Sequence, residues 1–243
     1  MHAPTTSTGD QRIEPSATAA AATATAMAHK AHFWNRIARK YANDPIADLA
    51  GYERTMQRVQ DLLSTEHEVL EIGCGTGTTA LRLAPRTRRL VATDVSEQMI
   101  TIVCAKLASQ PMPQLHFRLA DADAPVAEQG AYDAVLAFNL LHLVTDLSLA
   151  LSSAINALKP GGLLISKTPC LNEMNPLIPK LALPLMRAIG KAPPVLCFDA
   201  SQLQAAMTAQ GLEILAVERH GSKGKDWRVF IVARKPDAPP TAR

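Results

Sequence analysis

Two rhythms of apolar positions alternate along this chain, and each change of rhythm marks an element. Short, nearly unbroken apolar runs at 68–72, 89–93, 114–119, 132–138 and 162–167 are strand-length and too apolar for a sheet with one wet face. Between and after them, 76–84, 96–109, 146–158 and 200–210 carry apolar side chains at three- and four-residue spacing, as helices do. Ser96 and Asp146 stand where helix caps are expected, since their oxygens can accept the free N–H groups of a first turn, and Gly211 supplies a stop. Two more helices are predicted at 29–42 and 46–64. Strands at 212–219 and 227–234, joined through Gly-Ser-Lys-Gly-Lys-Asp at 221–226, read as a hairpin. Strictly alternating strands and helices predict an α/β fold whose mostly parallel sheet is covered on both faces.

The ends break this pattern. Residues 1–28 are largely Ala, Thr, Ser and Pro, with almost no large apolar side chains, and are expected to be a disordered tail. The Ala-rich run at 18–28 lacks the Leu or Val of a signal peptide and follows Asp10 and Glu14. The segment 236–243 is expected to be flexible. That leaves one domain at 29–235, within which 29–64 forms N-terminal helices and 170–198 an insertion.

Composition narrows the function. With 47% apolar residues in 243, the chain can bury the core of one such domain. A net charge of +3 is too small for a surface that coats nucleic acid, so none is expected as a partner. The four cysteines (Cys74, Cys104, Cys170, Cys197) show no metal-ligand spacing, so no metal is expected and reduced thiols in the cytoplasm are the simpler reading. No apolar stretch approaches bilayer-spanning length.

The first strand carries the chemistry. Val69-Leu-Glu-Ile-Gly-Cys-Gly-Thr-Gly77 is a strand running into a glycine turn, and Val91-Ala-Thr-Asp94 is a second strand ending on a carboxylate. A nucleotide-type ligand held across two parallel strands, its ribose on the acid, needs this arrangement. Gly73, Gly75 and Gly77 let the backbone turn and approach a ligand where a Cβ would collide. The dinucleotide fingerprint wants a further glycine where Thr78 stands, so the spacing disfavours NAD. Glu71 before the turn suits a ligand with a cationic amino group.

These residues resemble the first motif of the class I S-adenosylmethionine-dependent methyltransferases, of the kind acting on small molecules. Thr93-Asp94-Val-Ser, Ala120-Asp121-Ala122, Tyr132-Asp-Ala-Val-Leu-Ala-Phe-Asn139-Leu-Leu-His142 and Leu158-Lys-Pro-Gly-Gly162 follow in that family's order, and the likeness spans roughly 31–235. It implies a Rossmann-like three-layer sandwich with seven strands, mostly parallel, and an antiparallel edge strand. It implies S-adenosylmethionine as methyl donor. Glu71 and the backbone of Gly73, Cys74 and Gly75 would face the methionine portion, Gly77 would complete the turn, and Tyr41 would lie near the methionine carboxylate. Asp94 would accept both ribose hydroxyls, with Val95 and Met99 against adenine. Asp121 and Ala122 would meet the adenine edge, and Asn139 the methyl-bearing end.

His142, just past the fourth strand, is the catalytic candidate, because its ordinary pKa suits a general base near neutrality. A structural or substrate-contacting histidine is the alternative. Cys170 follows Pro169 as in cytosine-C5 methyltransferases, but those also need a Pro-Cys where Asn139-Leu140 stands. Phe138-Asn-Leu-Leu141 is likewise not the Asn/Asp-Pro-Pro-aromatic turn of many nitrogen methyltransferases. In 174–191, Lys180, Arg187 and Lys191 share one helical arc and Ile178, Leu181, Leu185 and Ile189 the opposite one, while Pro184 is expected to kink the helix. Such a segment suits a lid over an apolar pocket or a peripheral membrane contact. The expected activity is methyl transfer to O or N of a small, fairly apolar metabolite by a monomer or homodimer. The alternatives are a membrane-surface phospholipid or quinone-precursor methyltransferase, and a non-catalytic S-adenosylmethionine-binding protein.

Overall fold

The computed structural model describes residues 17–126, 128–174, 177, 181–222, 224 and 226–237. Residues 1–16 of the expected tail, most of the closing segment, and Ile178, Pro179 and Lys180 of the amphipathic stretch lie outside them.

Seven strands form one sheet: β1 (Glu68–Ile72), β2 (Arg89–Asp94), β3 (Leu115–Leu119), β4 (Tyr132–Phe138), β5 (Leu158–Pro169), β6 (Glu213–Arg219) and β7 (Arg228–Arg234). Their order is β3-β2-β1-β4-β5-β7-β6. The first five run parallel, and β7 pairs antiparallel with both β5 and β6. The predicted hairpin therefore closes the sheet, with β6 outermost. Chain order reverses between β1 and β4, and open α/β sheets bind their ligands outside the carboxyl ends of the strands at such a switch point.

The near-continuous apolar runs are explained by two cores, one on each face. Leu70, Ile72, Val135 and Leu164 pack on one side with α5 (Leu147–Ala157) and α7 (Ala200–Ala209). Val69, Leu136, Ile165 and Phe230 pack on the other with α2 (Leu49–Leu62) and α3 (Thr78–Leu83). Polar side chains fix the helix starts. Ser96 accepts the Met99 N–H at the head of α4 (Glu97–Ser109), Asp146 caps α5, and Asp199 with Gln202 forms a capping box on α7.

Two segments differ from the sequence reading. Helix α1 runs Ala17–Asn43, so its backbone is helical well into the stretch expected to be loose through residue 28. Alanine is the strongest helix former, and the run simply prolongs a helix already anchored at its far end. In the insertion, α6 (Leu183–Ala188) holds Pro184 in its first turn, just after a wider π-type turn at 181–182. Leu181, Leu185 and Ile189 turn outward, each more than half exposed, so these described residues of the insertion do not form the expected roof. Arg36 of α1 donates to the Gly190 carbonyl and ties the segment to the body.

Candidate functional site

Two adjoining cavities open at the switch point. The first is an open cleft of roughly 660 Å³ between the carboxyl ends of β1, β2 and β4 and the underside of α1. The second, roughly 1220 Å³, lies between the ends of β1, β4 and β5, the 42–48 segment and α2. Tyr41, Gly73, Phe138 and Asn139 line both, forming the sill between them.

The glycine turn shapes the first cavity. Gly73, Gly75 and Gly77 all take positive φ, near +69°, +54° and +73°. Behind the turn the Gly75 N–H donates to Asp94 Oδ2 at 2.8 Å, and the Ser96 N–H donates to Asp94 Oδ1 at 2.9 Å. Two backbone N–H groups thus hold the carboxylate at the mouth of β2, with lone pairs left to accept from a diol. Burial raises the Asp94 pKa against the lowering effect of these bonds. Val95 and Met99 line the floor, and Asp121, Ala122 and Asn139 the far wall. Asn139 holds φ +52°, the one non-glycine residue among those described with positive φ. Its N–H donates to the Lys167 carbonyl at 2.7 Å, which fixes this strained turn at the end of β4.

Glu71 is the electrostatic oddity. Its carboxyl lines the second cavity and is wholly buried, and Oε2 has no hydrogen-bond partner among the described residues. Burial, and then the charge of Asp94, push its pKa up to about 8. A buried carboxyl without a partner costs stability, and a cationic ligand would relieve that cost. Burial and the same two acids raise the Tyr41 phenol, which stays an O–H donor above the sill. Asp94 borders the first cavity and Glu71 the second, on either side of Gly73, which lines both.

Several sequence-predicted residues behave differently. Gly77 lines neither cavity and instead packs under Val103 of α4. Cys74 lines only the second cavity, and burial pushes its thiol well above the ordinary range. His142 lines neither cavity; its Nδ1 is buried without a partner among the described residues. Burial pushes its pKa down to about 4. Where a general base poised near neutrality was expected, desolvation leaves a neutral, weakly basic imidazole with its Nδ1 buried, as in the alternative reading of a structural histidine.

The sequence reading also missed residues. Lys30 of α1 lines the first cavity beside Trp34, which the aromatic run at 33–41 had pointed to, and Lys30 Nζ bonds Asp121 Oδ1 at 2.6 Å and Asp123 Oδ2 at 2.7 Å. Asn35 Oδ1 accepts from Ser96 Oγ and the Gln98 N–H, so α1 is latched across the mouth at both acids and helix head. Lys167 of β5 and Arg228 of β7 reach the second cavity. The available signal for Lys167 was a charge on the same strand face as the core residue Ile165. Among the described residues there is no cluster able to hold a metal ion, and no helix long and apolar enough to cross a membrane.

Comparison with known proteins finds likenesses to methyltransferases. Residues 69–162 match the family model described as "Methyltransferase domain". An uncharacterized methyltransferase of Mycobacterium tuberculosis is 34% identical over 96 residues, 40% of this chain and 47% of that protein. A demethylmenaquinone methyltransferase of Lactococcus lactis is 30% identical over 129 residues, 52% of this chain and 49% of that protein. The chain thus spans about half the length of these curated relatives. The geranyl diphosphate C-methyltransferase of Streptomyces coelicolor, solved with Mg2+, geranyl diphosphate and S-adenosyl-L-homocysteine, superposes with a TM-score of 0.66 at 14% identity, covering 86% of this chain and 97% of that one. At that identity the likeness is one of fold.

Proposed function

We propose that the chain is a class I S-adenosylmethionine-dependent methyltransferase that transfers the donor's methyl group to O or N of a small, fairly apolar acceptor, a reading supported by the methyltransferase-domain match over residues 69–162 and by relatives named as methyltransferases. One observation carries the reading: an acid-ringed, glycine-floored cavity and a larger one meet at a sill of Tyr41, Gly73, Phe138 and Asn139. The orphaned Glu71 Oε2 and the Gly73–Gly75 cradle are the features into which the donor fits.

In this reading Asp94 takes the ribose hydroxyls, Val95 and Met99 lie against the base, and Asp121 with the Ala122 backbone meets its edge. Glu71 and the glycine turn hold the methionine end, with the Tyr41 hydroxyl near its carboxylate. The bound donor supplies an already activated methyl group. What remains for the protein is to align the two partners and exclude water, which in favourable cases supplies roughly 7–11 kcal/mol. The acceptor lies in the second cavity, where Ile46, Met56 and Phe138 offer apolar surface among polar groups that include Tyr52, Thr55, Lys167 and Arg228.

A calorimetric titration with S-adenosylmethionine tests this. One molecule binds per chain, and the heat near pH 7 changes with the ionisation enthalpy of the buffer, because a cation beside Glu71 draws off a proton held with a pKa of about 8. Affinity rises with pH up to that value. The sign for folding is opposite: free protein holds this proton and the unfolded chain does not, so stability of the unliganded form declines from about pH 4.5 to 8. Glu71→Gln removes the proton release and flattens that decline. Absence of binding, or binding without buffer dependence, sinks the site assignment or the role of Glu71 respectively.

A further inference from the structure

We propose that Lys167 is the general base that takes the acceptor's proton, and that Thr55, His220 and Glu218 form the path by which this proton reaches solvent. The proposal rests on the methyl-transfer reading above. Lys167 extends from the carboxyl end of β5, level with Phe138 on β4, into the wall of the second cavity. Its Nζ donates to Thr55 Oγ1 at 2.7 Å, Thr55 Oγ1 lies 3.0 Å from His220 Nδ1, and His220 Nε2 lies 2.9 Å from Glu218 Oε2. Lys167, Thr55 and His220 are 6%, 3% and 7% exposed, so the first three members are shut off from water except at the cavity. The Glu218 side chain is 29% exposed, which gives the path its outlet.

Each link has the freedom that conduction needs. Thr55 Oγ1 also lies 2.8 Å from the Gly51 carbonyl, so rotation of one O–H alternates between that acceptor and His220 Nδ1. Lysines are almost never fully buried unless paired. Yet among the described residues Lys167 meets a hydroxyl, not a carboxylate, at hydrogen-bond distance. Asp48 and Arg54 of α2 and Asp226 and Arg228 of the β6–β7 hairpin face it from outside that distance, two acids against two cations. Burial dominates and pushes the pKa of Lys167 down to about 8, which leaves a usable fraction of free amine near neutrality.

The step balances as follows. A lone pair on the acceptor oxygen or nitrogen forms the bond to the methyl carbon while the carbon–sulfur bond breaks and its electrons stay on sulfur. The acceptor's proton moves to the amine of Lys167, giving an ammonium. The ammonium then passes a proton to Thr55 Oγ1 as the Thr55 proton moves to His220 Nδ1 and the Nε2 proton to Glu218, from which it leaves to water. Exchange with water, in which Nε2 takes up a proton and Nδ1 releases one, restores the starting tautomer.

The test does not need a known acceptor. In full-length protein carrying 13C,15N-lysine, the signal missing from Lys167→Arg is followed against pH together with the His220 ring. Lys167 is expected to titrate about two units below the exposed lysines, whose pKa values lie near about 10.4. The His220 signals shift over the same pH range, and in Thr55→Val they no longer do. Titration alongside the surface lysines, or a His220 ring indifferent to Lys167 in the wild type, overturns the proposal. In parallel, Lys167→Met binds S-adenosylhomocysteine as the wild type does. A loss of about tenfold or more, worth about 1.4 kcal/mol, would make Lys167 an anchor of the donor carboxylate instead, and would equally overturn it. Failure of the wild type to bind S-adenosylhomocysteine would sink the methyl-transfer reading while leaving the titration result standing. On any acceptor that the wild type methylates, Lys167→Met loses about 10²–10⁴-fold in kcat together with the rise in rate toward pH 8. A retained rise rules Lys167 out as the base.

Discussion

Asp94→Ala weakens methyl-donor binding by at least about 100-fold, or about 2.7 kcal/mol, in a protein that remains folded. The magnitude follows from what the carboxylate does. Hydrogen bonds to a charged acceptor contribute about 1.5–3 kcal/mol each, and a ribose diol would make two. The substitution also frees the Gly75 and Ser96 N–H groups that the carboxylate now accepts. Gly75 borders the cavity, so water can replace its partner, whereas Ser96 is fully buried. An unpartnered buried N–H costs about 1–3 kcal/mol, so a modest fall in Tm accompanies the lost affinity. Asp94→Asn separates the two effects. It keeps the volume but turns an NH2 toward one of these N–H groups, so binding falls with little change in packing. Calorimetry with S-adenosylhomocysteine on both variants, beside thermal melts, gives the answer; undiminished affinity in either contradicts the role of Asp94.

Gly77→Ala destabilises the fold by about 2–5 kcal/mol, although Gly77 touches neither cavity. Two costs add. The backbone stands at φ +73°, where an L-residue costs about 1–2 kcal/mol. The new Cβ would sit 2.2 Å from Val103 Cγ2 and 3.2 Å from Phe117 Cζ, and overpacking of this kind costs about 1–3 kcal/mol. The sum is a large share of the roughly 5–15 kcal/mol that separates a folded domain from its unfolded chain. Gly77→Ala/Val103→Ala regains part of the loss, because the clash goes and the dihedral cost stays. Gly75→Ala is the informative contrast. It shares the dihedral cost at φ +54°, but its Cβ would meet only the Tyr41 ring, at 3.4 Å, so stability falls less than in Gly77→Ala while donor binding suffers. Urea unfolding of the three variants measures this, and a Gly77→Ala loss below about 1 kcal/mol, the size of an ordinary substitution, would remove Gly77 from the architecture of the turn.

Much of this fold was legible because local pattern and tertiary demand coincide. Strands 68–72 and 132–138 were bounded correctly by apolar runs that end where the ligand crevice begins. Ser96 and Asp146 announced their helices because a cap is a contact within three residues. The acids and glycines of the first cavity were likewise legible, since each lies within a few residues of the strand end that positions it. Contacts distant in sequence were not. The Lys30–Asp121 pair spans 91 residues and the Lys167–Thr55 pair 112, and neither residue's neighbours hint at its partner. The surroundings of His142 were not legible for a related reason: position after β4 is readable, but the direction of its ring depends on how 141–145 packs beneath the segment whose Leu196 N–H bonds its carbonyl. The amphipathic stretch lies partly outside the described residues, and periodicity carries no information on what an apolar face will meet.

The central claim is that the crevice between the first two strands grips an adenosyl donor with its methyl-bearing end at the Tyr41–Asn139 sill. A crystal structure with S-adenosylhomocysteine bound tests it most directly. The account predicts both ribose hydroxyls on the Asp94 carboxylate, the base between Met99 and Asp121, the amino end beside Glu71, and sulfur facing the second cavity. The ligand bound elsewhere, or seated with its ribose away from Asp94, would contradict it.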